Sequence, residues 1–415
     1  VPSEQAPQAD DLRNLLEELG VRQRVSGRWQ YDERYLCHSP QERLFFNGAW
    51  QDGLLPTHDV SAHTLAQYRQ FSKLVEEARK RSQWTIPASN STLVSADIAL
   101  TAITFIVYLD QNGLTDLHLR WYLDYCCRDD YGTRYDRVSA WVGLHYYCSR
   151  RGEADNAGKG AWLTWPGGLQ PIAQAMDQAS GSRRKNGTAV SLKKTENGVE
   201  ALCFELIDGE ASTYKIRAKK AVCAMPLFVA ARVLDNIQQY GFDPKIHMPS
   251  YAPWMVANFL MKNFPQELPH VPLSWDNVVY QEPGLGYVVS THQDIRVQPP
   301  EKSVFSSYVA LSNQSPDEAR KWLNKASLAE LLALASADLR SAYGWKFAPC
   351  VERVDITLRG HAMAAPLPGF RSNDGLRALR ELDGNILFAH ADLSGFSVFE
   401  EAAWWGYRAA LRVMS

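Results

Sequence analysis

The feature of this sequence that most constrains its fold lies near the C-terminus, in residues 384–403. A short apolar stretch that predicts a strand is followed by a loop of small residues with one acid, Asp392, and then by a helical pattern. Ser397, with Glu400 three residues later, predicts a capping box at the start of this helix. A strand that leads through a glycine turn into a helix N-terminus presents backbone N–H donors and the positive end of the helix dipole. The segment therefore predicts a site for an anionic or electron-rich ligand group.

Length and charge limit the class of protein. The chain has 415 residues and a formal net charge of -2. Because single hydrophobic cores stop growing near ~250–300 residues, two domains are expected. The small net charge gives no electrostatic reason to expect nucleic acid or an anionic membrane as a partner. The longest apolar run, residues 98–109, is much shorter than the ~20 residues of a membrane span, so it predicts a buried helix in a soluble protein.

The cysteines and the start of the chain bear on metal binding and localisation. Seven cysteines, an odd number without a CxxC pair, predict buried reduced thiols rather than a disulfide framework or a zinc site, and no metal is expected. The chain does not open with Met, and residues 1–3 are typical of the middle of a protein. We therefore expect it to begin after a removed or missing segment. An export signal would lie in that segment, so the cytoplasm and the periplasm both stay open.

Apolar periodicity divides the chain into a helical part and a part with strands. Residues 11–20, 61–82 and 116–128 have helical spacing, and Asn47-Gly48 predicts the turn of a hairpin. From Trp165 onward a helix and several strands are predicted. The predicted strands cover residues 188–192, 199–207, 214–224, 254–261, 304–311 and 351–358, and further helices begin after Ser315 and Ser327.

Five segments in this order resemble the flavin-dependent amine oxidase and phytoene-desaturase-like superfamily. They are residues 165–168 with the helix after them, the strands 188–192 and 220–226, the segment 359–363 and the closing segment 386–403. The closing segment is the most specific, because it is similar to the Phe-Ala-Gly-Glu loop and helix of that family. The resemblance implies an α/β fold of two interleaved domains: an FAD-binding Rossmann-like domain, incomplete here, and a substrate domain with a mixed sheet and helices.

The resemblance also implies domain boundaries. Residues 1–155 would form a mainly helical substrate or cap region, and residues 156–245 part of the FAD-binding domain. Residues 246–365 would form the sheet and helices of the substrate domain, and residues 366–415 would close the FAD-binding domain. The expected partner is a small-molecule substrate, and a homodimer is also expected.

The family implies non-covalently bound FAD and a set of residues around it. Val190 would offer backbone contacts to the adenine, and Pro226 would end the strand beside the same site. Asp392 would approach the ribityl or pyrophosphate part. The helix N-terminus would face the N1/C2 carbonyl edge of the flavin, where the reduced ring gathers negative charge. The full set of expected cofactor contacts is Trp165, Gly167, Gly168, Val190, Pro226, Asp392, Ser394, Gly395, Phe396 and Ser397.

Two departures from the family pattern are clear. The GxGxxG fingerprint that cradles the pyrophosphate is absent, since neither Gly158-Lys159-Gly160 nor Gly284-Leu285-Gly286 continues correctly. In the family this fingerprint lies upstream, so a missing N-terminal segment is the simplest account, and FAD would then not be held by this chain alone. The family's lysine at the start of the strand over residues 254–259 is also absent, because Lys262 lies at its far end.

Several residues allow both a functional and a structural interpretation. His361 is the candidate catalytic residue for proton transfer, although a lone histidine is more often a hydrogen-bonded structural residue. Trp254 and Asn258 are the candidate substrate contacts. Trp404 and Trp405 on the last helix are better explained as core packing. Gly395 suits a turn and a close ligand approach equally well.

The leading hypothesis is an enzyme, an FAD-dependent oxidoreductase of the amine-oxidase-like type. It would transfer a hydride to flavin N5 from an amine or from a C–C unit, which requires orientation and an apolar pocket more than a strong base. The alternative is a non-catalytic, flavin-free scaffold or one fragment of a split flavoprotein.

Overall fold

The computed structural model describes residues 10–37, 41–150, 155–157, 162–165, 167–268, 272–291, 294–296, 298 and 300–415, which form a mixed α/β structure. The strands are β1 (Arg22–Val25), β2 (Arg28–Tyr31), β3 (Glu42–Phe46), β4 (Ala49–Asp52), β5 (Thr188–Thr195), β6 (Gly198–Ile207), β7 (Glu210–Ala218), β8 (Ala221–Cys223), β9 (Ser250–Met261), β10 (Asp276–Val279), β11 (Tyr287–Val289), β12 (Ser303–Ala310), β13 (Val351–Ala365) and β14 (Ile386–Phe388). The helices are α1 (Asp10–Glu18), α2 (Ala62–Arg81), α3 (Ser95–Leu100), α4 (Phe105–Gln111), α5 (Leu117–Tyr131), α6 (Ala140–Ser149), α7 (Gln170–Ser180), α8 (Leu227–Val233), α9 (Pro244–His247), α10 (Pro316–Leu323), α11 (Leu328–Ala335), α12 (Ala337–Tyr343), α13 (Asp374–Glu381) and α14 (Phe399–Met414).

A seven-stranded sheet in the order β13-β9-β12-β11-β10-β3-β4 is the largest sheet among these residues. Its neighbours pair antiparallel except β10 and β3, which are parallel. Alternate residues of β9, from Met255 to Met261, are buried with α10, α11 and α12 in one core. The intervening residues, among them Asn258, are only partly buried. One face of the sheet is thus packed against these helices, whereas the other face packs against α5 around Trp254 and is only partly buried around Asn258.

A helical region of α2 to α6 forms a second core around Trp84, Phe105 and Trp141. The predicted helices over residues 61–82 and 116–128 are confirmed. Ser61 caps α2, and α5 ends at Gly132 in the left-handed conformation. The predicted hairpin at Asn47-Gly48 is confirmed as β3 and β4, and it forms an edge of the large sheet.

The prediction of one helix over residues 98–109 is wrong. The structure has two short helices there, α3 and α4, separated at residues 101–104. The hydroxyl of Thr101 donates to the carbonyl of Ile98 at 2.7 Å, and Thr104 is the N-cap of α4. A threonine hydroxyl that bonds to a backbone carbonyl in this way competes with the hydrogen bonds of a continuous helix. Ile98 is 55% exposed, so only the second half of the run is buried.

A third unit combines the parallel pair β8 and β14, the antiparallel sheet β5-β6-β7, and the helices α8, α13 and α14. The strand β14 is buried and leads directly into the loop for which the sequence predicts a ligand site. None of the helices in the described part of the chain is long and apolar enough to cross a membrane.

Candidate functional site

The loop between β14 and α14 is held by internal contacts. Gly395 has φ +73°, and a Cβ there would lie 2.3 Å from the ring of Phe370. Both the backbone conformation and this packing therefore require glycine, without any ligand. Phe396 is buried among rings of the helical region, including Tyr131 and His145.

The predicted capping box at Ser397 is wrong. The helix α14 begins at Phe399, and its N-cap, Val398, makes no side-chain cap. The hydroxyl of Ser397 instead accepts a hydrogen bond from the backbone N–H of Ala364 at 3.2 Å, which ties the loop to β13. Glu400 is buried rather than turned back to Ser397. The first turn of α14 therefore offers N–H groups that no N-cap side chain occupies.

Asp392 connects three elements inside the protein. It is 2% exposed, and its Oδ2 atom accepts from the N–H of Leu227 at 2.9 Å and from the hydroxyl of Tyr251 at 2.5 Å. Leu227 is the first residue of α8 and follows its N-cap, Pro226, so the carboxylate stabilises the positive end of that helix. Asp392 is thus a cap for α8, and it links the loop to β9.

Ser394 and Glu401 form a second buried junction. The hydroxyl of Ser394 accepts from Trp405 Nε1 at 2.6 Å, which places Trp405 in the core as expected. Glu401 is 0% exposed and accepts a hydrogen bond from the N–H of Ala88 in the helical region. Burial raises the pKa of Glu401 to about 7, although the bonds to Ala88 and Ser394 oppose the shift.

The other expected cofactor contacts lie in two separate parts of the structure, β5 and the segment around Trp165. Val190 is 46% exposed at a β-bulge of β5, where its backbone has no ladder partner in β6. Trp165 is buried with its ring centroid 5.2 Å from that of Tyr35. Gly167 is exposed, and Gly168 lines a cavity. Pro166 and the loop residues 158–160 lie outside the described residues.

A cavity of about 330 Å³ lies between the segment around Trp165 and the partly exposed face of the large sheet. A smaller space of about 150 Å³ shares Trp162 and Leu169 with it and is bounded by Val398 and Phe399 at the start of α14. The two spaces together lead from the sheet to the helix N-terminus. The larger one has predominantly aromatic and apolar walls, with Trp162, Trp165, Trp275, Tyr308, Leu163 and Val288 among its lining residues.

Three carboxyl groups lie beside this cavity. Glu42 and Asp276 are neighbours across the parallel pair β3 and β10, and Asp129 approaches from α5. Burial and nearby acids raise the pKa of Asp129 to about 7, although the positive charges of Arg150 and Arg128 oppose the shift, and they raise the pKa of Asp276 well above its usual range. Burial and the same two acids raise the pKa of Tyr308, a wall residue, to about 12. Tyr308 therefore lies near Asp276 and Asp129.

No cation among the described residues pairs with these three acids. The adjacent Asp130 differs, because it forms two hydrogen bonds with Arg150 at 2.7 and 2.8 Å. Asp129 is itself exposed to solvent, unlike the partly buried Asp276. Sequence reasoning missed this cluster, because the pairing of β3 with β10 brings together residues that no local pattern connects.

The three candidate residues for chemistry and substrate lie in different surroundings. Asn258 is nearest the cavity, because its Oδ1 atom accepts from the hydroxyl of the lining residue Ser306 at 2.7 Å. Trp254 packs in a core between the sheet and α5. His361 is exposed on β13 and stacks on Phe228 with ring centroids 4.6 Å apart. Partial burial and the positive charges of nearby arginines lower its pKa.

The cysteines and metal ligands can be assessed for the described residues. All seven cysteines are buried, and burial raises the thiol pKa of Cys37 and Cys126 to about 12. Within the described ranges, no group of three His, Cys, Asp or Glu side chains is arranged to hold a metal ion.

Comparison with known proteins shows what the fold is similar to. No protein-family model and no curated protein sequence matches the chain. Among solved structures, putrescine oxidase bound to putrescine aligns with a TM-score of 0.65 at 15% identity, over 99% of this chain and 87% of that one. Cyclohexylamine oxidase from Brevibacterium oxydans aligns with a TM-score of 0.62 at 16% identity, over 99% and 87%. A fatty acid isomerase from P. acnes aligns with a TM-score of 0.63 at 13% identity, over 99% and 85%. The chain therefore has the fold of the amine-oxidase-like proteins that the sequence resemblance implied.

Proposed function

We propose that this chain acts as an FAD-dependent oxidoreductase of the amine-oxidase type, which removes a hydride from a carbon next to nitrogen. The observation that carries this proposal is the aromatic-walled cavity whose residue Tyr308 lies near the carboxyl groups of Asp129 and Asp276. The similar fold of two amine oxidases supports it. An amine and a C–C unit are both compatible with the sequence, and the cavity favours the amine.

The charge of the cavity is the reason for this preference. A buried carboxylate without a cation is unfavourable, and an ammonium ion placed beside it removes the imbalance. Aromatic faces attract the same kind of cation. Trp162, Trp275 and Tyr308 provide such rings in the wall next to the acids. A hydrocarbon would pack against the apolar wall but would leave Asp129, Asp276 and Glu42 without a cationic partner.

Some residues of this chain fit FAD. The first turn of α14 has no side-chain cap and borders the smaller space, so its N–H groups suit the electron-rich edge of a flavin. The backbone of Val190 is free of the ladder at its bulge, as a contact for an adenine requires. The described residues contain no glycine-rich cradle for the pyrophosphate, so we assign no residue to that part. Bound FAD would supply the acceptor for the hydride.

The protein's own groups then have distinct tasks. The carboxyl groups of Asp276 and Glu42 hold the ammonium, and the aromatic walls exclude water from the carbon beside it. Asp129, with its pKa near 7, exchanges a proton with the amine close to neutral pH. Asn258 orients the substrate from the sheet through Ser306. We assign no direct role to His361 or Trp254, since His361 stacks on Phe228 on the exposed part of β13 and Trp254 packs in the core beside α5.

The second candidate is a flavin-free scaffold or one fragment of a split flavoprotein. The lack of a phosphate cradle in the described part of the chain favours it, as does the commitment of Asp392 to α8 and Tyr251. These observations concern cofactor binding and leave the amine-binding cavity unchanged. The two candidates can therefore be separated by experiment.

The test uses the purified chain with and without added FAD. A yellow protein whose flavin absorbance is lost under anaerobic conditions on adding putrescine or cyclohexylamine supports the enzyme. A colourless protein that fails to take up FAD, yet binds one of these amines in calorimetry, supports the scaffold. A yellow protein that no amine bleaches or binds would refute the proposed substrate class.

A matched pair of variants tests the acids directly. Asp276→Asn is expected to weaken amine binding on the order of tenfold to a hundredfold, since a hydrogen bond to a charged group contributes about 1.5–3 kcal/mol. Asp208→Asn makes the same chemical change in the exposed turn between β6 and β7 and should leave binding unchanged. Equal binding by both variants would remove the acids from the site.

A further inference from the structure

Two arginine side chains lie where the helical region meets the C-terminal elements of the chain. Arg371 belongs to the short 3₁₀ turn Phe370–Ser372, and Arg380 lies in the last turn of α13. The Nη1 atom of Arg371 donates to the carbonyl of Ala88 at 3.1 Å, and its guanidinium carbon lies 4.2 Å from the ring centroid of Trp141. These two contacts hold Arg371 against the helical region.

Arg380 has no partner along one edge of its guanidinium group. Its Nε and Nη2 atoms are both buried, and neither forms a hydrogen bond with the described residues. Because Nε and Nη2 lie on the same edge of the planar group, their N–H bonds point in the same direction. An edge of this kind binds two oxygens of one carboxylate or phosphate group. Buried charged donors without an acceptor are unfavourable, so this edge suits an oxyanion.

The charges around the two arginines do not balance. Burial and the positive charge of Arg380 lower the pKa of Arg371 to about 10, and burial also lowers the pKa of Arg380. Glu401 is the buried acid whose charge acts on both groups. Glu381 and Arg377 act on Arg380 with opposite signs and from exposed positions. Even when Glu401 is ionised, one buried carboxylate offsets only one of the two guanidinium groups, and a net positive charge remains.

We propose that this junction is a binding site for an oxyanion group, a carboxylate or a phosphate. The Nε–Nη2 edge of Arg380 binds two of its oxygens, and Arg371 provides a second positive charge beside it. Both arginines are only partly buried, so the anion can reach the site from solvent. Neither of them lines the aromatic cavity or the space at the start of α14, so the site does not depend on the proposed function.

The test measures the melting temperature of the full chain against the concentration of sodium phosphate or sodium acetate, with sodium chloride holding the ionic strength constant. A ligand that binds only the folded state raises the melting temperature in a saturable way. A saturable rise with phosphate alone would identify the ligand as a phosphate group, and a rise with acetate would identify it as a carboxylate. No rise with either salt would overturn the proposal, as would a rise that never saturates, since that is a general effect of the salt.

A matched pair of lysine variants separates binding at the edge from general attraction to positive charge. Arg380→Lys keeps the charge but removes the paired N–H groups, so it should weaken anion binding by about tenfold or more. Arg377→Lys makes the same change at an exposed residue of the same helix, paired with Asp374 at 2.7 Å, and should leave the affinity unchanged. An affinity of Arg380→Lys equal to that of the wild type would overturn the proposal.

Arg371→Gln tests the second charge. The amide of glutamine can still donate to the carbonyl of Ala88, but the positive charge is lost, so anion binding should weaken. Unchanged binding would remove Arg371 from the site. Each variant is compared with its own melting temperature in sodium chloride alone, so that a loss of stability is not mistaken for a loss of binding.

Discussion

Replacement of Glu401 by glutamine should change how stability depends on pH. Glu401 is fully buried, and its pKa is raised to about 7 from the ordinary 4.5. The folded state therefore prefers the protonated form, and this contribution to stability is fully present below pH 4.5. It is lost as the pH rises to 7. A difference of about 2.5 pKa units corresponds to about 3 kcal/mol of unfolding free energy.

The geometry predicts the behaviour of the variant. In Glu401→Gln the amide oxygen can still accept from the N–H of Ala88, so the junction with the helical region is kept. The variant has no proton to lose, and its stability should be nearly flat from pH 5 to pH 8. Relative to the wild type it should gain on the order of 3 kcal/mol over that range.

Denaturant unfolding followed by tryptophan fluorescence and circular dichroism at several pH values measures this difference. Glu196→Gln, in the exposed turn between β5 and β6, makes the same chemical change and serves as the control. A Glu401→Gln difference that stays constant from pH 5 to pH 8 would refute the assignment of a buried proton to Glu401.

Three further changes follow from the structure. Arg43→Leu should destabilise the large sheet by about 1–3 kcal/mol in denaturant unfolding, because the buried Asn277 Oδ1 loses its donor and the partly exposed Glu267, 2.9 Å away, loses its cation. Gly395→Ala should lower the melting temperature, because its φ of +73° disfavours a Cβ and the ring of Phe370 occupies the space. Gly384→Ala is the control that separates packing from conformation, because Gly384 also has a positive φ but has open space around it. Asp392→Ala should cost about 1–3 kcal/mol, seen as faster hydrogen exchange at the start of α8, because the N–H of Leu227 loses its acceptor.

Local patterns in the sequence predicted those parts of the fold whose partners lie within a few residues. The capping boxes at Ser315 and Ser327 are present, and so is the turn at Asn47-Gly48. The same logic failed at Ser397, because Ala364 offered its hydroxyl a partner in another strand. A cap is predictable only where no distant group competes for it.

The candidate site depended on distant pairings that a single sequence does not reveal. Asp392 caps α8, a helix 165 residues before it in the chain, rather than the helix that follows it. Glu42 and Asp276 meet only because β3 lies parallel to β10. The family resemblance found the loop before α14, but the acids beside the cavity carry no motif, and only the sheet topology brings them together.

The insertion of β3 and β4 beside β10 has a consequence for how the chain folds. The hairpin forms early in synthesis, but its neighbour in the sheet follows only after the helical region and the sheet β5-β6-β7. Closing such long loops costs conformational entropy, and the contacts that offset this cost form only afterwards. We therefore expect slow folding. Until β10 pairs with β3, the edge of the hairpin is unpaired, and it is the part of the nascent chain most exposed to aggregation.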